Sequence, residues 1–241
     1  MGFIISGMEA QDFYPLCSVG SDYDQDSDSP WQLRVADVGT ITISSGKIEA
    51  CDPFFTLSED YVFPFLSGTF PVKVTVADVS EEQDWSHERE AYLSIIVRDE
   101  PAVTYRLARP VGVGEADPTP IEGFWGVGVD SATVGLVDAD AAKICVEQDK
   151  AQDFIWPKDD NAVGWWDFID DSDHYEVAMA NIPIPGCADG ASIVISHSGW
   201  GDGHYPVVYS YNAADELVAC HVDFKVVGNN QYDEDDQDDE D

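Results

Sequence analysis

A chain of 241 residues that is 44% hydrophobic and 12% aromatic has the length and the apolar content to bury a core, which excludes a fully disordered protein. Asp and Glu number 48 against 11 Lys and Arg, a formal net charge of −37. That balance argues against nucleic acid and anionic membrane surfaces as partners, because both are bound through basic side chains that neutralise phosphates.

The acidity is not confined to one end: taking the eight acids of 233–241 from −37 still leaves −29 on the rest. A cationic protein, a divalent cation or a small molecule in a polar pocket are the partners such a chain suits. A surface adapted to high salt, where a Debye length of about 3 Å near 1 M screens self-repulsion, or plain solubility, would produce the same composition. Five cysteines (Cys17, Cys51, Cys145, Cys187 and Cys220) are odd in number, widely spaced and without a C-x-x-C pair. Neither a disulfide framework nor a thiolate zinc site is expected from them. Residues 1–6 lack the cationic start and apolar run of a signal peptide, and no stretch approaches the ~20 apolar residues of a membrane helix. The expectation is a cytoplasmic protein with reduced thiols. Gly2 and Ser6 match the short myristoylation pattern, which chance produces readily.

Residues 1–30 form an irregular acidic segment that ends in the alternating aspartates of 22–28. These imitate the start of a calcium loop, but Ser27 and Leu33 stand where an EF-hand needs Gly and Glu. From Trp31 the pattern becomes β-like and a single β-rich domain is expected over 31–228. Segments 33–36 and 39–44 alternate, Ser45-Gly46 turns, and 47–51 returns until Cys51-Asp52-Pro53 stops the strand. Pro71–Ala77 places Val72, Val74 and Val76 on one face and Lys73 and Thr75 on the other, the signature of a half-buried strand. Ala91–Val97 reads as a central strand, with Thr104–Ala108 as its expected neighbour. Gly and Pro crowd 110–123, where an internal boundary would fall. Phe124–Asp130 and Thr133–Val137 read as a hairpin, and Asp138 as the N-cap of a helix reaching about Val146. Trp156, Trp165 and Trp166 fall in a segment without clear periodicity and suggest core or cover packing. Strands return at 175–180, 193–198, 205–211 and 217–227, the last after a turn at Asn212–Glu216, and 229–241 is expected to be a disordered acidic tail. The fold class is mainly β or α+β, with sheets built from antiparallel hairpins and one or two short helices.

The most distinctive stretch runs from Ala191 to Pro206. Ile193, Ile195 and His197 alternate with Ser192, Val194, Ser196 and Ser198; Gly199-Trp200-Gly201-Asp202-Gly203 follows, then a strand from Tyr205. Asp-Gly between two such runs predicts a hairpin tip that presents Ser198, Trp200 and Asp202. The glycines do not make a phosphate loop, because a strand follows them rather than a helix. Ser198 is not a nucleophile elbow, since Ser196 and Trp200 stand where glycines are needed. A catalytic set assembled from distant residues would use Ser198, with His204 or His221 as base and Asp202 or Asp223 as orienter. Asp52, Asp130 and Asp202, each at a strand end or turn, are candidate oxygen ligands for a divalent cation. Taken singly, Asp52 and Asp130 better suit Asx turns and Asp202 an Asp-Gly hairpin. Trp200, Gly201, Gly203 and Tyr205, with Asp52 and Asp130, complete the candidate binding residues.

Ser45-Gly46, Cys51-Asp52-Pro53, Gly68-Thr-Phe-Pro71-Val72, Gly128-Val-Asp130, Asp138, Ser198–Pro206 and Asp223-Phe224, in that order, resemble a bacterial domain-of-unknown-function family, number 4241. The resemblance spans about 35–226 and rests most on Ser-Gly-Trp-Gly-Asp-Gly. Ser45, Gly46, Asp52, Asp130, Ser198, Trp200, Asp202, Gly203 and Tyr205 match the family-like motifs. It implies a cytoplasmic bacterial-type domain and brings no established reaction. Two functions are expected: a binding domain, such as an immunity-type neutraliser of a cationic partner, or a metal- or Asp-dependent small-molecule hydrolase built on the Gly-rich loop.

Overall fold

The computed structural model describes residues 32–114, 117, 123–159, 161–187 and 190–228. The aspartates of 22–28, the myristoylation pattern, Cys17 and the acidic tail lie outside the described residues.

In chain order the elements are β1 (Gln32–Ile43), β2 (Lys47–Cys51), β3 (Val62–Pro64), β4 (Gly68–Asp78), β5 (Glu88–Ile96), β6 (Thr104–Leu107), β7 (Gly126–Val129) and β8 (Thr133–Asp138), then α1 (Ala139–Gln152), α2 (Trp165–Ile169), β9 (Met179–Pro183), β10 (Ser192–His197), β11 (Gly203–Tyr211) and β12 (Leu217–Asp223). They form two antiparallel sheets. The larger has the order β1-β4-β5-β12-β11-β6, with β7 also paired to β11; the smaller is β3-β2-β8-β10-β9. The mainly-β, antiparallel architecture with two short helices is as the sequence patterning indicates.

Alternation decides which side each residue covers. Val72, Val74 and Val76 of β4, Leu93 and Ile95 of β5, and Cys220 and Val222 of β12 share one core with Ile48, Val134, Leu136 and Val194 of the smaller sheet. That layer lies between the sheets, and each fully buried aliphatic side chain in it contributes on the order of 1.5–3 kcal/mol. The odd-numbered partners Ile193, Ile195 and Val137 point the other way, onto Ala141, Ala142 and Cys145 of α1 and Trp165 and Ile169 of α2. The smaller sheet is therefore covered on both faces. Lys73 and Thr75, expected to face water, are buried as well, and the Lys73 ammonium is paired with Asp37. Asp138 caps α1 as expected, its Oδ1 accepting from the N–H groups of Asp140 and Ala141.

The expected pairings are corrected in four places. β1 and β2 do not pair across Ser45-Gly46: β1 joins β4, and β2 joins β3 and β8. β7 and β8 lie in different sheets, and so do β10 and β11. β6 pairs with β11 rather than with β5. Three of these expected hairpins are corners at which the chain leaves one sheet for the other. A turn signal encodes reversal of the chain, and a sandwich corner reverses it equally well. The Asn212 turn is a true hairpin: Asn212 Oδ1 accepts from the N–H groups of Ala214 and Glu216 between β11 and β12. The expected strand at 175–180 begins only at Met179, because turns and bends occupy residues 172–178.

Candidate functional site

Two corners run side by side at one end of the sandwich. The β7–β11 ladder ends at Val129 and Gly203, and the β8–β10 ladder begins at Thr133 and His197. The crossings between them are bonded to each other. The Ser198 N–H donates to the Ala132 carbonyl at 3.0 Å, and the Ala132 N–H donates to Asp202 Oδ1 at 3.0 Å. Within its own crossing, Ser198 Oγ donates to the Gly201 carbonyl at 2.7 Å, and the Tyr205 hydroxyl donates to the same oxygen at 2.6 Å. Gly199 has φ +66, and a Cβ there would lie 2.4 Å from Val226 Cγ2 and 2.8 Å from the Glu90 carbonyl. Only glycine fits that position.

Asp52 braces the second crossing. Its Oδ2 accepts from the N–H groups of Asp130 (2.9 Å) and Ser131 (2.8 Å), and its Oδ1 from Ser131 Oγ (2.8 Å) and the N–H groups of Phe54 and Phe55. Five donors satisfy one buried carboxylate. Asp138 repeats the device: Oδ2 accepts from the Ser44 and Ser45 N–H groups and from Ser45 Oγ, holding the β1–β2 corner to the start of α1. Those bonds hold the Asp138 carboxyl below its ordinary range against the opposing effect of burial.

The structure thus brings Asp52, Asp130, Ser198, Trp200, Gly201, Asp202, Gly203 and Tyr205 to one end of the molecule, and it commits most of their polar atoms to backbone. Among the described residues no group of three His, Cys, Asp or Glu side chains is arranged to hold a metal ion. The residues proposed for a catalytic set are separately engaged. Ser198 bonds to its own turn. His221 is buried between Ser94 Oγ (2.8 Å from Nδ1) and Ser210 Oγ (2.9 Å from Nε2), and burial pushes its pKa down to about 3. His204 stacks on Phe124 at 4.8 Å. Asp223 is buried, accepts from the Lys225 N–H, and is pushed up to about 7 by burial.

What stands open is beside Trp200. Its indole is 59% exposed, and it lines a groove of about 530 Å³ together with Arg34, Glu88, Arg89, Glu90, Glu176 and His197. Arg89 lies over the Trp200 ring, its guanidinium carbon 5.2 Å from the centroid. Arg34 is held between Glu88 and Glu176, the second at 2.7 Å. Burial pushes Glu90 up to about 7 and lowers His197. Away from the groove, Trp166 lies 6.2 Å from the His197 ring, and Trp156 stacks on Trp166 at 6.4 Å.

A family model described as protein of unknown function (DUF4241) matches residues 41–222. The chain belongs to this family. No curated protein and no solved structure matches it. The DUF4241 match contains both crossings and every strand from β2 to β11, so the end that carries Trp200 belongs to the family unit. Sequence reasoning found Trp200 and its glycines but missed Arg34, Glu88, Arg89, Glu90 and Glu176, which come from β1, β5 and the loop before β9. The available signal was scarcity: two of only 11 basic residues converge there. Among the described residues no helix is long and apolar enough to cross a membrane.

Proposed function

We propose that this chain is a binding domain for a cationic protein, acting as an immunity-type neutraliser of a basic partner. The observation that carries the reading is how its charge is disposed. Arg34, Lys73, Arg98, Arg106, Lys143, Lys150 and Lys158 are each already paired with a carboxylate of the same chain. In a chain of net charge −37, those pairings leave the exposed carboxylates of the described residues with little free positive charge beside them. Such a surface accelerates encounter with basic proteins and repels acidic ones.

The alternative, a hydrolase built on the Gly-rich loop, has no comparable support, because Ser198 Oγ and Asp202 Oδ1 are bonded to backbone. Pull-downs at low salt with the full chain, followed by association kinetics across a salt series, test the proposal. A captured basic protein whose on-rate falls at least about tenfold with added salt is expected. A salt-insensitive partner, or none at low salt, overturns it.

A further inference from the structure

Between Lys158 and Lys225 the sequence contains no Lys or Arg. This run supplies α2, the loop before β9 and the Trp200 crossing, so one side of the molecule has acids with no basic residue from the same run. Asp167, Asp170, Asp171, Asp173 and Glu176 are all exposed there.

The same side carries apolar surface that a monomer would ordinarily cover. Trp156 is 61% exposed and Trp166 38%, and the two rings stack. Trp166 reaches the His197 ring, and His197 lines the groove together with Val177 and Trp200. Both of those are more than half exposed. Trp156, Trp166 and His197 therefore form an aromatic ridge, ring to ring, that runs to the groove Trp200 also lines, with Glu176 in that groove and Asp170 acting on His197. Arg89 is the exception to that pattern: it lies over one face of Trp200 and lines the groove with His197. Arg34 is neutralised by two glutamates. Exposed tryptophan is the residue type most enriched at binding hot spots, and its ring face attracts cations.

From this juxtaposition we infer that the ridge is the docking surface for the cationic partner, and that it takes a segment in which Lys or Arg side chains are interspersed with apolar ones. The apolar side chains lie on the tryptophans and the cations meet the bordering aspartates. Charge alone would select any basic chain; the ridge selects an amphipathic one.

The inference rests on the binding-domain reading, and the test separates the two. The probes are two synthetic peptides of equal length and lysine content, one with leucine and the other with glycine between the lysines. They are titrated calorimetrically into the full chain at physiological ionic strength and at low salt. The leucine peptide is expected to bind at least about tenfold tighter, the scale of burying a few apolar side chains. The double variant Trp156→Ser, Trp200→Ser should remove that preference, bringing the leucine peptide down to the affinity of the glycine peptide. Asp170→Asn with Asp173→Asn, at positions whose carboxylates brace no backbone group, should weaken both peptides. Thermal melts confirm that each variant is folded.

Equal affinity of the two peptides for the parent chain overturns the ridge and leaves the cationic-partner reading standing. So does a preference that survives loss of both tryptophans, or asparagine variants that bind as the parent does. If neither peptide binds at low salt, the binding-domain reading itself falls.

Discussion

Asp52 shows how an acidic residue can be structural in an acidic protein. Its five donors come from two loops distant in sequence, so it works as a bracket between the end of β2 and the β7–β8 crossing. Asp52→Asn should destabilise the fold by about 2–4 kcal/mol in urea unfolding, because the amide turns an N–H toward donors and leaves them unpaired. Glu49 makes a different case. It is 2% exposed, and burial pushes its carboxyl up from 4.5 to about 7. The folded state therefore keeps a proton that the unfolded chain has released, and stability falls as pH rises from about 4.5 to about 7. Glu90 and Asp223, also pushed up to about 7, add to the same slope. Asp37 and Asp138, held below their usual range, act in the opposite sense and lose their contribution as pH falls below about 4. The expected optimum is weakly acidic. Glu49→Gln, which keeps a carbonyl to accept the Ser58 N–H, should flatten the slope between pH 5 and 7. It should also raise stability at pH 8 by on the order of 2 kcal/mol, read from unfolding curves across pH.

At the scale of elements, strands were legible and, apart from the β11–β12 hairpin at Asn212, their partners were not. The valines of β4, the alternation in β10 and the Asp138 cap each state a local conformation in residues next to one another. Pairing is stated only between distant residues. Gly199 illustrates the difference: its presence in a loop was plain, but the reason for it lies in the Glu90 carbonyl and Val226, which no neighbouring residue announces. The groove was hidden for the same reason, since its charged lining comes from three separate elements. Gly199→Ala should cost about 2–4 kcal/mol, combining a left-handed backbone with contact against a main-chain oxygen. Its effect should appear in thermal melts as a lowered Tm, together with hydrogen-exchange protection lost first at the paired crossings. Of the three tryptophans expected in core or cover packing, Trp165 is buried, while Trp156 and Trp166 lie edge-on against Phe54 and stay 61% and 38% exposed.

For the whole molecule, the dominant long-range force is self-repulsion. With a net charge of −37 in one chain, added monovalent salt should raise Tm steadily from low ionic strength toward 1 M, as the Debye length shrinks from about 30 Å at 0.01 M to about 3 Å. Differential scanning calorimetry over that range checks it, and a Tm that stays flat or falls would show that surface charge is not what limits stability. The composition made this visible at once, whereas the sandwich did not follow from it. The chain passes between the sheets at the β1–β2, β3–β4, β7–β8 and β10–β11 connections, so neither sheet is a continuous piece of sequence.

One consequence of that layout concerns how the chain is made. β12, last of the described strands, lies between β5 and β11 in the larger sheet. A nascent chain completes β5 about 120 residues before β12 follows. At roughly 5–20 residues per second, synthesis leaves the Leu93 and Ile95 strand with an open edge for about 6–24 seconds. An unpaired apolar edge of that kind templates aggregation. The acids distributed along the growing chain repel neighbouring nascent chains throughout that interval, so the charge that keeps finished molecules apart also protects the unfinished one.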